Sequence, residues 1–309
     1  MADRRFARRE VLLTGLAAAT LPSATLAQAQ PDLAFLAVGD WGRRGSQDQR
    51  PVAAQMAKTA RALGSEFTTT VGDNFYEDGV QSVSDSHWRQ SFLDVYDPSD
   101  LEVWYPTLGN HDYHGAPDAQ VAFTRVDIRW RLPARYHRHR VTTSKRAKVD
   151  LFMIDTSPIA DVRYRPKSPD IAIQKAWLKS ELAASDADWK LVFGHHTVVS
   201  SGGSGRVYPD LSGWLVPLLK QHGVQAYICG HDHHLEHLVH EGMTYIITGG
   251  GSQGDPLKAR KHPGFKAGWG VAGFTAFKIT GDTLTVDFIA KAGQTLGSAR
   301  VPKAALIPA

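Results

Sequence analysis

The sequence predicts an α/β fold, and three observations carry that expectation. Short apolar runs rich in β-branched residues recur along the chain, among them Leu33 to Val38, Phe67 to Val71, Val103 to Leu108, Val149 to Ile154, Leu191 to Phe193 and Ala226 to Cys229. Several of the stretches between them place apolar residues at helical spacing. Five of the runs close on a glycine followed by a polar donor, at Gly39-Asp40, Gly72-Asp73, Gly109-Asn110, Gly194-His195 and Gly230-His231. Open α/β sheets carry their ligands at the carboxyl ends of strands, so these five loops converge on one place.

Composition sets the frame. With 309 residues, 42% hydrophobic and 21% charged, the chain is an ordinary globular one with apolar content for one large or two modest cores. Residues 1–29 are set apart as a signal segment: Arg8-Arg9 precede an apolar stretch that ends near Ala19, and Ala27-Gln28-Ala29 offers small residues for cleavage. The stretch is too short and too rich in alanine to span a bilayer. The pattern resembles a twin-arginine export signal, which implies the export machinery as a transient partner and a periplasmic or secreted location. Residues 1–29 carry four arginines against Asp3 and Glu10, a surplus of two, so residues 30–309 keep only +2 of the formal +4. That balance argues against nucleic-acid binding and against anchoring to a membrane surface. The single cysteine, Cys229, excludes an intramolecular disulfide and reads as buried within its apolar run.

In chain order, the first strand is Leu33 to Val38. A helix from Pro51 to Leu63 follows, with proline at its start and Gly64 as its stop. The second strand leads into Gly72-Asp73, then come a helix around Asp85 to Val95 and a strand from Val103 to Leu108. Asp118 to Trp130 is expected as a helix, and Tyr136 to Val141 and Val149 to Ile154 as strands. Ala160 to Pro169, rich in proline and charge, reads as a surface loop. Helices at Ile173 to Leu182 and Leu211 to His222 flank the strand Leu191 to Phe193. After Ala226 to Cys229 the chain turns to strands, at Leu235 to His240, Met243 to Thr248, Gly273 to Ile279 and Thr283 to Ile289. The run Gly249 to Gly254 reads as a flexible turn, because no helix with a phosphate-loop signature follows it.

The donor chemistry is specific. One carboxylate can bridge two cations, and Tyr76, three residues after Asp73, points the same way if the segment curls into a helical turn. A phenol ionises near pH 10 in water, so its use as a ligand at neutral or acid pH calls for a strongly Lewis-acidic ion, with ferric iron the natural candidate. Taken alone, Gly72-Asp73-Asn74 also reads as a turn, Tyr76 as a core aromatic and His231 to His234 as a solvated tract. Their conjunction with Asp40, Asn110 and His195, oxygen and imidazole donors without thiolate, describes a site for iron, zinc or manganese.

Asp40-Trp41-Gly42, Gly72 to Tyr76, Gly109-Asn110-His111-Asp112, Gly194-His195-His196 and Cys229 to His233 together resemble the five motif blocks of the purple acid phosphatases, in particular the small tartrate-resistant kind, within the calcineurin-like metallophosphoesterases. The likeness extends to Arg129-Trp130, Phe152 to Thr156 and Trp177-Leu178, and so covers roughly residues 33–290. It implies one domain over 30–309, a four-layer sandwich of two mixed β-sheets flanked by helices. It also implies a binuclear centre: Fe3+ held by Asp40, Asp73, Tyr76 and His233, and a divalent ion (Fe2+, Zn2+ or Mn2+) held by Asp73, Asn110, His195 and His231. Two cations roughly 3.5–4 Å apart bind phosphate oxygens, activate water and stabilise in-line displacement. His111 matches the family's proton donor to the leaving group, the other reading being a histidine hydrogen-bonded to Asp112. The implied activity is acid hydrolysis of small phosphate monoesters. A phosphodiesterase or nucleotide hydrolase with the same core, and a noncatalytic phosphate- or metal-binding protein, are the other readings.

Three positions depart from the family pattern. Ser200 to Ser204 stand where a second acid histidine is frequent, Thr197 where proline is usual and Arg43 where glycine is common. These leave the ligand set intact and bear on the substrate pocket, with His196 as a replacement acid and Arg43 as a phosphate contact.

Overall fold

A computed structural model describes residues 30–168, 171–202 and 208–303; the expected signal segment and Gly203-Ser204 lie outside them. The chain runs β1 (Leu33–Val38), α1 (Gln49–Leu63), β2 (Thr68–Val71), α2 (Ser86–Trp88), β3 (Trp104–Thr107), α3 (Pro117–Phe123), β4 (His137–Thr142) and β5 (Lys148–Met153). It continues through α4 (Ser157–Ala160), α5 (Ile171–Ala184), β6 (Trp189–Phe193), α6 (Pro209–Gln221) and β7 (Ala226–Cys229). The last strands are β8 (Leu235–His240), β9 (Met243–Thr248), β10 (Phe265–Trp269), β11 (Gly273–Thr280), β12 (Thr283–Ala290) and β13 (Thr295–Pro302).

Two mixed sheets result. One has the order β13-β12-β11-β1-β2-β3, the other β10-β8-β9-β7-β6-β5-β4. Strand side chains alternate between faces, and the central strands are apolar on both. On β1, Leu33, Phe35 and Ala37 join a core that also holds Val149, Leu151 and Met153 of β5 and Leu191 and Phe193 of β6, so this cluster lies between the sheets. Leu36 and Val38 face the other way, onto Val52, Met56 and Ala60 of α1. In the second sheet, Phe152, Val192 and Tyr227 face Leu178 and Leu182 of α5 and Leu211 and Leu215 of α6. Three clusters filling the three gaps of helix, sheet, sheet, helix make the expected four-layer sandwich.

Some elements differ from expectation, each for a physical reason. The helix expected over Asp118 to Trp130 stops at Phe123. Residues beyond it pair with β3 instead, the Trp104 N–H donating to the Arg129 carbonyl and the Arg131 N–H to the Trp104 carbonyl. The helix around Asp85 to Val95 is α2 followed by one π-helical turn, Arg89–Leu93, with Asp85 capping its start through the His87 N–H. The surface loop from Ala160 contains a 3-10 segment, Val162–Lys167. Strands β10 and β13 were not legible, since Phe-Lys-Ala-Gly-Trp and Thr-Leu-Gly-Ser-Ala-Arg-Val-Pro lack clean alternation, and both lie at sheet edges. The Gly249 to Gly254 run is no flexible turn: Gly249 to Ser252 are buried, and the Gly251 N–H donates to the Gly39 carbonyl at 3.0 Å. Cys229 is buried, as its apolar run suggests.

Candidate metal centre

The ends of β1, β2 and β3 deliver Asp40, Asp73 and Asn110 from one sheet, and the ends of β6 and β7 deliver His195, His231 and His233 from the other. Close approach of the loops depends on the glycines before the donors. A Cβ on Gly109 would lie 2.2 Å from Asp73 Oδ1, and one on Gly230 would lie 2.3 Å from Asp40 Oδ2. Asp40, Asp73 and His231 themselves hold φ of 60°, 49° and 69°, the left-handed region that non-glycine residues adopt at a cost of about 1 kcal/mol or more each. Strained backbone under three polar side chains aimed at one point is a mark of function rather than of folding.

The donor atoms form two groups that share one oxygen. In the first, the Tyr76 hydroxyl lies 3.0 Å from Asp40 Oδ1, 2.9 Å from Asp73 Oδ2 and 3.1 Å from His233 Nε2. In the second, His195 Nε2 lies 3.1 Å from Asn110 Oδ1, 3.2 Å from His231 Nδ1 and 3.4 Å from Asp73 Oδ2. All seven residues expected as ligands are therefore in two adjoining clusters, with Asp73 Oδ2 common to both. Ring tautomers fit this use. His195 Nδ1 lies 2.8 Å from the Val71 carbonyl, which can only accept, so its lone pair is on Nε2, facing the cluster. His231 turns Nδ1 to the cluster while its Nε2 meets the Tyr208 hydroxyl at 2.7 Å. His233 Nδ1 faces the Asp255 carboxylate at 3.3 Å, which can only accept and so leaves the lone pair on Nε2; the Gln253 amide, 2.5 Å away, suits this tautomer with its oxygen turned to the ring.

Electrostatics show what this donor set lacks from its own residues. Burial alone would raise Asp73, but the imidazoles of His195, His111 and His231 outweigh it and hold the carboxyl below the usual carboxylate range. His195 is lifted to about 9 against its burial by Asp73 and Asp40. Burial and the neighbouring His195 push His231 down to about 4, and burial with Asp40 and Asp73 pushes the Tyr76 phenol well above its ordinary value. Two buried carboxylates, a phenol and imidazoles compete here for protons, whereas cations satisfy all of them together. The residues fit a pair of hard-to-borderline metal ions.

Around the cluster, Asp112 is turned inward. Its carboxylate accepts the backbone N–H groups of Asn74 (3.0 Å), Phe75 (3.2 Å) and Gly109 (2.8 Å) and the Gln120 amide (2.8 Å), which ties the Asp73 and Asn110 loops together. It does not meet the His111 ring. His111 Nδ1 lies instead 2.6 Å from the Glu77 carbonyl, and the His111 N–H donates to Asp73 Oδ1 at 2.8 Å. His196 is 2% exposed, with Nδ1 2.9 Å from Thr156 Oγ1 and its ring 4.6 Å from that of His231. The Arg43 guanidinium is engaged by Ser252, Glu77 and the Tyr76 ring. Thr156, at the end of the stretch Phe152 to Thr156, supports the site, and so do Tyr208 and Gln253, to which the sequence reading gave no role. A threonine after a strand-ending Asp was a usable signal for the first, whereas neither of the other two belongs to a motif.

Comparison with known proteins agrees with this geometry. The family described as calcineurin-like phosphoesterase matches residues 33–235. The chain is 35% identical over 303 residues to tartrate-resistant acid phosphatase type 5 of Homo sapiens, covering 90% of this chain and 93% of that protein. It is 37% identical over 235 residues to purple acid phosphatase 7 of Arabidopsis thaliana, covering 71% and 70%. Among solved structures, GAP50, the anchor in the inner membrane complex of Plasmodium, superposes with a TM-score of 0.78 at 24% identity over 88% of this chain and 89% of that one. The purple acid phosphatase PPD1 from yellow lupin seeds gives 0.66 at 15% identity over 87% and 53%. At those identities the structures speak for the fold alone. The sequence relatives speak for the chemistry as well: this chain belongs to the purple acid phosphatases, dimetal enzymes of the calcineurin-like phosphoesterase family.

Proposed function

We propose that this chain is an exported acid phosphatase that hydrolyses small phosphate monoesters at a binuclear centre of one ferric and one divalent ion. Asp40, Asp73, Tyr76 and His233 would hold Fe3+, and Asp73, Asn110, His195 and His231 a divalent ion (Fe2+, Zn2+ or Mn2+). The observation that carries the reading is the sharing of Asp73 Oδ2, 2.9 Å from the Tyr76 hydroxyl and 3.4 Å from His195 Nε2, by two donor groups. When bound, the ions supply Lewis acidity toward phosphate oxygens and an activated water.

The chain's own residues supply the proton. His111 Nδ1 carries a hydrogen, because the Glu77 carbonyl at 2.6 Å can only accept, so the proton given to a leaving alkoxide is one on Nε2. The His111 side chain is 25% exposed and its ring lies 4.4 Å from that of Tyr76, while the 2% exposure of His196 makes it the less favoured donor. Residues 1–29 would direct export through the twin-arginine machinery, giving a periplasmic or secreted enzyme. Among the described residues no helix is long and apolar enough to cross a membrane.

Metal analysis of the purified protein, combined with hydrolysis of p-nitrophenyl phosphate and bis(p-nitrophenyl) phosphate, tests the reading. The expected result is iron with a second metal, a visible band and preference for the monoester. Tyr76→Phe should abolish the band while leaving metal content largely intact. A metal-loaded wild type with neither iron nor a band removes the ferric assignment, and preference for the diester removes the monoester reading.

A further inference from the structure

Arg43 stands where the ligand loop after β1 turns away from Asp40, and its side chain is 10% exposed. The guanidinium carbon lies 3.8 Å from the centroid of the Tyr76 ring. Several bonds fix it there: Nε donates to Ser252 Oγ at 3.0 Å, a terminal nitrogen donates to Glu77 Oε1 at 2.8 Å, and the Arg43 N–H donates to Gln49 Oε1 at 3.0 Å. Ser252 is itself anchored, its hydroxyl donating to the Asp40 carbonyl at 2.6 Å. The ring thus has carboxylates at its hydroxyl edge and a held cation on its face.

We propose that Arg43 is a tuning residue for the Tyr76 ligand: its charge over the ring holds back the electrons that the phenolate donates to the ion it binds. This rests on the reading of Tyr76 as a ligand of ferric iron. A cation over an aromatic face is attracted to the ring's π electrons, and the attraction grows when the ring carries negative charge. A transition that moves an electron from ring to metal forfeits that attraction, so Arg43 raises the transition energy. Glu77, 69% exposed, neutralises part of the guanidinium's charge and works in the opposite direction.

The test uses the purified holoenzyme, its metal content and its visible spectrum. Arg43→Met should move the band to longer wavelength by about 5–20 nm, the size expected from one cation–π contact, while Arg43→Lys keeps most of the wild-type position. Glu77→Gln, which removes the counter-ion from an exposed position, should move the band to shorter wavelength. Loosening of the loop by either change would not give shifts of opposite sign. An unmoved band in Arg43→Met at wild-type iron content overturns the inference, and so do shifts of both variants in one direction. If Arg43→Met does not fold, Glu77→Gln decides alone, and an unmoved band there overturns it. A wild type with iron but no visible band, or with no iron, removes the ferric reading and the inference together, and is seen before any variant is made.

Discussion

Asp112→Asn is the perturbation from which the structure gives the most definite magnitude. The fully buried carboxylate accepts from three backbone N–H groups and from Gln120, at 2.8–3.2 Å, and Asn74 Nδ2 lies 3.4 Å from Oδ2. An amide of the same shape offers one oxygen and turns an NH2 toward donors. If the oxygen remains at Oδ1, the Gly109 N–H faces an NH2 group. In the opposite orientation, Phe75 N–H and Gln120 Nε2 lose their acceptor, and flipping Gln120 to compensate would break its bond from Asn74 Nδ2 at 3.0 Å. At about 1–3 kcal/mol for each buried donor left unsatisfied, and with the first orientation leaving one, the substitution should cost roughly 1–3 kcal/mol. The same bonds hold the loops of Asp73 and Asn110, so affinity for the divalent ion should fall by about 10- to 100-fold, the range for groups that support ligands. Urea unfolding followed through the fluorescence of the eight tryptophans measures the first quantity, and competition with a chelator measures the second. A loss below about 1 kcal/mol with unchanged metal affinity would show that Asp112 does not tie the loops as described.

His111→Ala should slow hydrolysis of an alkyl phosphate by about 10²- to 10⁴-fold and that of a nitrophenyl phosphate far less, since only the alkoxide needs the proton. Equal losses would make His111 a positioning group, and a selective loss in His196→Ala would move the acid role there. Burial holds His137 down to about 4, so its neutral form belongs to the fold. Its contribution is present above the unfolded value near 6.5 and is lost as pH falls from there toward 4, where the unfolded chain binds the extra proton. The loss approaches about 3 kcal/mol, and His137→Leu should flatten the stability curve between pH 4 and 6.5, an unchanged slope refuting the assignment. Replacing both Arg8 and Arg9 with lysine should trap the protein in the cytoplasm, whereas undiminished periplasmic protein would exclude twin-arginine export.

The site was more legible than the fold that carries it. Donors such as Asp40, Asp73 and His231 announce themselves because each follows a glycine at the end of an apolar run, and their chemistry does not depend on distant context. Strands buried on both faces were equally plain, as β1, β5, β6, β7 and β9 show. Edge strands β10 and β13 were hidden by their half-exposed, irregular sequences. The early end of α3 was hidden too, because pairing of Arg129 to Arg131 with Trp104 is a tertiary decision that overrides helical pattern. Supporting residues were least visible. Asp112, a partner of His111 only in the other reading of that histidine, binds the facing loop, and Tyr208 and Gln253 meet His231 and His233 only once the layers are assembled.

Because Asp40, Asp73 and Asn110 leave one sheet and His195, His231 and His233 leave the other, the centre is a rivet joining the two sheets at the carboxyl ends of their strands. Neither sheet owns a complete set of donors, so tight ion capture waits for the layers to dock. The inter-sheet core then becomes the ruler of the site. Phe35, stacked between Phe67 and Phe277 at ring-centroid distances of 4.8 and 4.7 Å, reaches Phe193 of the opposite sheet at 6.4 Å, and Phe193 stands two residues before His195. A slip of one residue along that interface, about 3.3 Å, equals the whole separation of neighbouring donor atoms. The apolar filling between the sheets therefore sets the bite of the metal centre as directly as the ligands themselves.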